Sequence, residues 1–143
     1  MKNFIHGNTY YSHANPPEEL ERNFKKMKEM GINSVRVAEV WPGWSVIEHN
    51  PGEYDFDLLD DYVEKAAKIG LKVCMGVGIN DTPSWLYNKY SDLRFKNYNG
   101  NYSNRRIQSA CFDHKQYRQH MKKYIKKITE HYSGQIGRAS CRE

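Results

Sequence analysis

The chain has 143 residues, of which 38% are hydrophobic and 13% aromatic, a composition typical of one globular domain. No apolar run approaches the roughly 18 residues that a membrane-spanning helix needs, so we expect no membrane segment. The net charge is +5, but lysine and arginine alternate with aspartate and glutamate along predicted helical faces, which disfavours nucleic-acid binding.

The cysteines indicate a reducing environment. Cys74, Cys111 and Cys141 are too few and too widely spaced for a disulfide framework, and no C-x-x-C pair suggests a zinc site. The first residues lead directly into a strand-like segment, without the apolar core of a signal peptide. We therefore expect a cytoplasmic protein that needs no metal or other cofactor.

Three segments have the composition of strands, and a helical pattern follows the first two directly. The predicted strands are residues 4–11, 33–40 and 71–78. Between the first two, Asn15 is the predicted N-cap of a helix with Pro16 in its first position. Gly31 is the predicted left-handed cap at the end of that helix.

Two further long helices are predicted. Asp57 caps the first, which ends before Gly70, and a capping box that begins at Asp113 starts the second. In this last helix the apolar residues share one face and four lysines take the opposite face, as in a helix packed outside a barrel. Residues 79–112 are mostly irregular, with a short helix near residues 84–89, and long loops of this kind are usually functional.

The alternation of strands and helices implies a parallel sheet with right-handed crossovers. A doubly wound sheet and an eightfold barrel both satisfy this order. No glycine-rich phosphate loop follows the first strand, and the irregular segments all lie after strands, where a barrel places its site. We therefore predict an α/β fold, the first three βα units of a (β/α)8 TIM barrel, which is an incomplete barrel.

Charged and aromatic residues follow the second predicted strand. The valines of this strand are typical of burial on both faces, and such a strand carries Arg36 and Glu39 only where it emerges into a site. The loops of the chain carry Trp41, Trp44 and Trp85. Each tryptophan can either stack on the face of a sugar ring or cover the core, and the sequence leaves both alternatives open.

Four motifs extend over nearly the whole of residues 4–134. They are Gly7-x-x-Tyr10-Tyr11; Met27-x-x-Met30-Gly31-Ile32-Asn33-x-Val35-Arg36; Trp44-x-x-Ile47-Glu48-x-x-Pro51-Gly52-x-Tyr54-x-Phe56; and Pro83-x-Trp85-Leu86, followed by Arg105-Arg106 and Tyr117-Arg118. Together they resemble the N-terminal part of glycoside hydrolase family 42, the β-galactosidases with a catalytic TIM barrel in the retaining clan A. The resemblance implies a carbohydrate partner, a terminal β-galactoside.

The resemblance also implies roles for three residues. Arg36 and Glu39 would hydrogen-bond galactose hydroxyls, and Arg105, which matches the first residue of an Arg-Arg pair in the family, would bind the sugar too. The alternatives are a mutual ion pair of Arg36 and Glu39 that closes the barrel mouth, and a plain surface charge for Arg105. The ion pair and the sugar contact are compatible with each other. For Glu48, organisation of the loop backbone is favoured over contact with substrate.

By the same resemblance, the acid/base glutamate follows an asparagine at the end of the fourth strand, and the nucleophile ends the seventh. The sequence stops where the fourth strand should begin, so we expect no catalytic residue and no turnover in this chain. It is slightly longer than the family pattern at Trp41-Pro42-Gly43 and before Cys111, which leaves open a clan A hydrolase with another sugar specificity. A non-catalytic carbohydrate-binding barrel is the further alternative.

Two properties of the longer protein stay open. Some family members hold a structural zinc through a cysteine at the place of Cys111, but a small buried thiol is the favoured interpretation here. The sequence does not fix the oligomeric state, and a homo-oligomer is one alternative.

The last residues form a separate unit in this interpretation. Residues 135–143 correspond to the translation of a DNA string that resembles a common short-read sequencing adapter. We therefore expect residues 1–134 to be the N-terminal portion of the barrel and residues 135–143 to be a non-native tail.

Overall fold

The computed structural model describes residues 4–11, 14–103 and 110–136. Three short parallel strands, β1 (Gly7–Thr9), β2 (Ser34–Val37) and β3 (Lys72–Met75), form one sheet in the order β1-β2-β3. The strands have three or four residues, fewer than the eight predicted for each, because only the middle of each predicted segment pairs in the sheet. The order and the parallel pairing are those of the first units of an α/β barrel, and the predicted fold class is confirmed.

The four predicted helices occur in the predicted order, and two four-residue helices, Trp44–Ile47 and Ser133–Ile136, were not predicted. The helices are α1 (Leu20–Glu29), α2 (Trp44–Ile47), α3 (Asp57–Ile69), α4 (Ser84–Lys89), α5 (Lys115–His131) and α6 (Ser133–Ile136). None of the helices within the described ranges is both long and apolar enough to cross a membrane. The tail predicted for residues 135–143 lies outside the described residues from position 137 onward.

The predicted start of the first helix was wrong. Asn15 does not cap it; its Nδ2 atom donates to the Tyr11 carbonyl at 2.9 Å. A 3-10 turn over Pro17–Glu19 precedes α1, so Pro17 and not Pro16 takes the first helical position. The sequence contains two adjacent prolines, and the direction in which the chain enters the helix decides which of them begins it.

Two other predicted caps are each displaced by one residue. Asp57 is the first residue of α3, and its N–H donates to Asp55 Oδ1 at 2.9 Å. At α5 the cap is His114 and not Asp113, because His114 Nδ1 accepts the Tyr117 N–H at 3.2 Å. An N-cap depends on which side chain reaches a free backbone N–H, and helix ends are the least predictable part of a helix.

Helix α5 packs its apolar face against the segment that follows β2. Trp44 is fully buried and stacks on Tyr124 with ring centroids 5.0 Å apart and planes 13° apart. The lysines of α5, at positions 122, 123, 126 and 127, are exposed, as predicted. Helix α5 therefore packs against the loop that follows β2. This loop lies at the carboxyl edge of the sheet, where the candidate site is.

One buried hydroxyl gives a test of this packing. Among the described residues, Tyr124 Oη is the buried side-chain polar atom that has no hydrogen-bond partner, and burial raises the pKa of this phenol. Replacing Tyr124 with phenylalanine is expected to leave the free energy of unfolding unchanged or to raise it by up to about 1 kcal/mol, because an unsatisfied buried group is removed.

Tyr117 is the matched control for Tyr124. Its hydroxyl donates to the Ile79 carbonyl at 2.9 Å and makes a second hydrogen bond with Thr82 Oγ1 at 3.1 Å. Tyr117→Phe is expected to lower the free energy of unfolding by about 1–2 kcal/mol, measured by urea unfolding. Equal losses in the two variants would contradict the hydrogen-bond assignment.

Candidate functional site

The candidate site lies at the carboxyl ends of the three strands. Thr9, Arg36 and Cys74 are register partners and form one row across the sheet. Val35 and Val37, on either side of Arg36 in β2, are buried, whereas Arg36 is exposed. Ser34, which shares the face of Arg36, is buried as well, so β2 is buried on both faces at its start and exposed at Arg36, where it emerges at the carboxyl edge, as predicted.

Arg36 and Glu39 are brought together, as predicted. Arg36 Nη1 lies 3.2 Å from Glu39 Oε1, with 48% and 31% of the two side chains exposed. The Tyr11 hydroxyl, at the end of β1, makes a long hydrogen bond of 3.5 Å to Glu39 Oε2. The ion pair itself is thus present, whereas its closing of the barrel mouth and the sugar contact both stay predictions. Arg105, the third predicted residue, lies outside the described residues.

A backbone reversal at Ala38 produces this arrangement. Ala38 has φ of 58°, in the left-handed region that residues other than glycine rarely adopt. In a regular strand Glu39 would lie on the opposite face from Arg36, since successive side chains alternate. The turn at Ala38 breaks the alternation, and both charged groups reach the same side.

Gly76 provides the space for this reversal. Its N–H donates to the Val37 carbonyl at 2.8 Å, and the Ala38–Glu39 backbone lies directly against its Cα. A Cβ atom at this position would be 2.5 Å from the Ala38 carbonyl oxygen and 2.8 Å from Glu39 Cα. Glycine at the end of β3 is therefore what allows the β2 loop to place Glu39.

The three tryptophans have different environments. Trp44 is fully buried in the core, which rules it out as a platform for a sugar. Trp85 is half-buried, and its Nε1–H donates to the Glu48 carbonyl at 3.0 Å, so it covers the core and holds the loop. Trp41 is exposed and lies two residues beyond Glu39. The burial of Trp44 excludes stacking for that residue, and for Trp41 and Trp85 stacking on a sugar stays a prediction.

Glu48 organises the loop between β2 and α3. It is 4% exposed, and its carboxylate accepts the Trp44 Nε1–H and, at 2.9 Å, the Gly52 N–H. Burial and the nearby negative charge of Glu48 together raise the pKa of Tyr54 to about 12. The structural interpretation of Glu48 is confirmed, because the carboxylate is committed to partners within its own loop.

The described residues include no group of three or more histidine, cysteine, aspartate or glutamate side chains arranged to hold a metal ion. Cys74 is an exposed free thiol. Cys111 is also a free thiol. It is half-buried, whereas a buried thiol was expected. Cys141 lies outside the described residues.

Sequence reasoning missed three contributors to the site. Tyr11 belongs to a motif but has no predicted role, and the sequence predicts no role for Ala38 or Gly76. A tyrosine directly after a strand is a usable signal for the edge of a barrel. Nothing in the sequence marks Ala38 or Gly76, because the first depends on an unusual φ and the second on which backbone lies against it.

Three parallel βα units, with a charged pair at the carboxyl end of the second strand, define this chain as part of an α/β barrel. The model of glycoside hydrolase family 42, described as beta-galactosidase, matches residues 9–137, and the chain belongs to this family.

Beta-galactosidase BgaA of Clostridium cellulovorans is 31% identical over 128 residues, which are 89% of this chain and 19% of that protein. A beta-galactosidase of Thermus thermophilus is 28% identical and matches 90% of this chain and 20% of its own length. The crystal structure of a beta-galactosidase from the psychrophilic Marinomonas ef1 superposes with a TM-score of 0.82 at 26% identity, over 93% of this chain and 20% of that one. The chain thus spans about a fifth of the length of the relatives it matches.

Proposed function

We propose that the protein to which this chain belongs is a retaining β-galactosidase that hydrolyses terminal β-galactosides, and that this chain supplies one edge of the sugar subsite. The observation that carries the proposal is the Arg36–Glu39 pair, 3.2 Å apart at the carboxyl end of β2 in a chain of family 42. In α/β barrels this edge carries the chemistry.

The chemistry of the pair suits a sugar. A hydroxyl both donates and accepts, so a guanidinium that donates and a carboxylate that accepts can bind adjacent hydroxyls of one ring. The mutual ion pair holds both groups in place before the sugar arrives, which lowers the entropic cost of binding. An exposed ion pair contributes only about 0.2–1 kcal/mol to stability, so stability is a weak reason for this pair.

Bond cleavage is assigned to residues beyond this chain. Retaining glycosidases need two carboxyl groups about 5 Å apart, one as acid and base and the other as nucleophile. Glu39 is committed to Arg36 and Tyr11, and Glu48 is buried in its loop, so neither suits these roles. We assign Arg105 to the same subsite as a further sugar contact, on the family motif alone.

A second candidate is a clan A hydrolase with another sugar specificity. It is favoured by Trp41, an exposed residue in the segment that is longer than the family pattern. A panel of nitrophenyl glycosides, tested on the longer protein expressed from its uninterrupted gene, separates the two. Cleavage of the β-galactoside in preference to the others is the expected result, and no galactoside cleavage would contradict the first candidate.

Substitutions of the charged pair test its role directly. In the longer protein, Arg36→Ala and Glu39→Gln are each expected to lower kcat/KM for the galactoside about tenfold to hundredfold, since each removes charge-assisted hydrogen bonds to the sugar. The control is Arg22→Ala, which breaks another ion pair of the same three-residue spacing, with Glu19 at 2.6 Å on α1. Equal effects at Arg36 and Arg22 would mean that the Arg36 pair is only structural.

The cellular location belongs to the proposal as well. We place the protein in the cytoplasm, because Cys74 and Cys111 are free thiols, as in proteins of reducing compartments. Fractionation of the source cells with an antibody against the longer protein would test this.

A further inference from the structure

The chain segments that leave β2 and β3 stay in contact beyond the sheet. The Gly76 N–H donates to the Val37 carbonyl at 2.8 Å, where the two strands end. Further along, the Trp44 N–H donates to the Gly78 carbonyl at 3.1 Å. The segment between these two hydrogen bonds, which carries Glu39, is therefore attached to the β3 side at both of its ends.

Ser45 and Asp81 connect the same two segments a second time. The Ser45 N–H donates to the Asp81 carbonyl at 2.8 Å, and the Ser45 hydroxyl donates to Asp81 Oδ2. We call these two hydrogen bonds the clasp. Both residues are half-buried, and a hydrogen bond to a carboxylate is stronger than one between neutral groups. The clasp thus joins the first turn of α2 to the loop after β3.

Asp81 has a rigid support. Its N–H donates to the Gly78 carbonyl at 3.1 Å, which closes a tight turn. Ile79 and Thr82, which flank Asp81 in the chain, are both bound to α5. The Tyr117 hydroxyl donates to the Ile79 carbonyl at 2.9 Å and lies 3.1 Å from Thr82 Oγ1. Asp81 is therefore fixed by its own loop and can hold the other segment in place.

Gly43 links the clasp to the segment that carries Glu39. A Cβ atom on Gly43 would overlap the Val40 carbonyl oxygen and lie 2.6 Å from Asp81 Cβ, so Gly43 is packed between the two. Val40 directly follows Glu39 in the chain. Loss of the clasp would free Gly43, and with it the backbone that places Glu39 beside Arg36.

We propose that Asp81 is a positioning residue of the sugar subsite, because the clasp holds the segment after β2 so that Glu39 stays beside Arg36. This rests on the proposed function of the charged pair. In this role Asp81 does not touch the sugar, and its effect on sugar binding passes through Glu39. A residue that acts through another loses its effect when the other is removed, so substitutions of Asp81 and Glu39 should not be additive.

The test is a set of double-mutant cycles in the longer protein. Asp81→Ala, Asp81→Asn and Ser45→Ala are each made in the wild type and in the Glu39→Gln background. The two alanine variants remove the side-chain hydrogen bond of the clasp, whereas Asp81→Asn keeps an acceptor oxygen for the Ser45 hydroxyl. KM and kcat for a nitrophenyl β-galactoside and the inhibition constant of free galactose are measured for each. The thermal midpoint reports folding.

Asp60→Ala is the matched control. Asp60 is also half-buried and also accepts a hydroxyl from another part of the chain, that of Tyr132 at 2.7 Å. It lies on α3 and binds the end of α5 instead of the segment after β2. Asp60→Ala should lower the thermal midpoint and leave KM and the galactose inhibition constant unchanged.

Asp81→Ala is expected to raise KM and the galactose inhibition constant about three- to tenfold, with a smaller change in kcat, and Ser45→Ala about two- to fivefold. In the Glu39→Gln background each change should fall below about twofold. Asp81→Asn should retain most of the affinity. If Asp81→Ala does not fold, the cycle of Ser45→Ala with Glu39→Gln decides.

A loss of sugar binding that is equally large in the Glu39→Gln background would overturn the proposal, because Asp81 would then act on its own. A lowered thermal midpoint with unchanged sugar binding would overturn it too, by assigning the clasp to stability alone. In both cases a large effect of Glu39→Gln leaves the proposed function standing.

Failures of the proposed function give different results. A wild type that cleaves another glycoside but no galactoside would refute the proposed function alone, and the cycles would then be judged on that glycoside. Unchanged sugar binding in Glu39→Gln itself would refute both the role of the charged pair and that of Asp81. A wild type inactive on the whole panel would also refute both.

Discussion

Replacing Glu48 with alanine is expected to lower the free energy of unfolding by about 3–5 kcal/mol. The carboxylate is 4% exposed and accepts hydrogen bonds from Trp44 Nε1 and from the Gly52 N–H, the latter at 2.9 Å. Its removal leaves these donors without their acceptor in a poorly hydrated loop, and each unsatisfied donor costs about 1–3 kcal/mol.

Two other variants separate this network from a general sensitivity of the loop. Glu48→Gln keeps the shape and one acceptor oxygen, so a loss of about 1–2 kcal/mol is expected. Glu53→Ala changes an exposed carboxylate of the same loop, which accepts a hydrogen bond from Asn50 Nδ2 at 2.9 Å, and should stay within about 0.5 kcal/mol of the wild type.

Urea unfolding of the longer protein, followed by tryptophan fluorescence, measures these differences. Trp44 and Trp85 both contact Glu48, so the signal reports on this loop. A loss for Glu48→Ala no larger than that for Glu53→Ala would show that the buried carboxylate does not organise the loop.

Gly76→Ala is expected to damage both stability and sugar binding. The new Cβ would lie 2.5 Å from the Ala38 carbonyl oxygen and 2.8 Å from Glu39 Cα, and these are backbone atoms that cannot rotate away. We expect a loss of about 3 kcal/mol in the free energy of unfolding, at the upper end of ordinary overpacking costs. Because the loop must move, Glu39 should leave Arg36, and kcat/KM should fall at least as far as in Glu39→Gln.

The control for Gly76 is Gly100. It has φ of 79°, but a Cβ there would have no atom within 4 Å. Gly100→Ala therefore introduces backbone strain without a steric clash, and its expected loss is about 1 kcal/mol with unchanged kcat/KM. If Gly76→Ala retained full activity and stability, the close approach of the two strand ends would not be what places Glu39.

The sequence predicted the main elements well because their signals are local. Gly31 has φ of 82°, as expected of a left-handed cap, and Gly70, predicted to follow the second long helix, has φ of 76°. The short helix at Ser84–Lys89 also agrees with the prediction. The caps at Asn15, Asp57 and Asp113 were misplaced by one or more residues, since several side chains near each helix start can bind the same free N–H group.

The sequence by itself determined the parallel βα order, the family and the two charged residues after the second strand. The reason is that hydrophobic period, turn residues and motif spacing depend only on the order of residues in the chain. Only the tertiary structure decided that Arg36 and Glu39 share one side, that Trp44 is core and that Trp41 is accessible. The physical reason is that these facts depend on contacts between distant segments. The turn at Ala38 lies where a Cβ at position 76 would clash, and Trp44 is buried against Tyr117 and Tyr124 of α5.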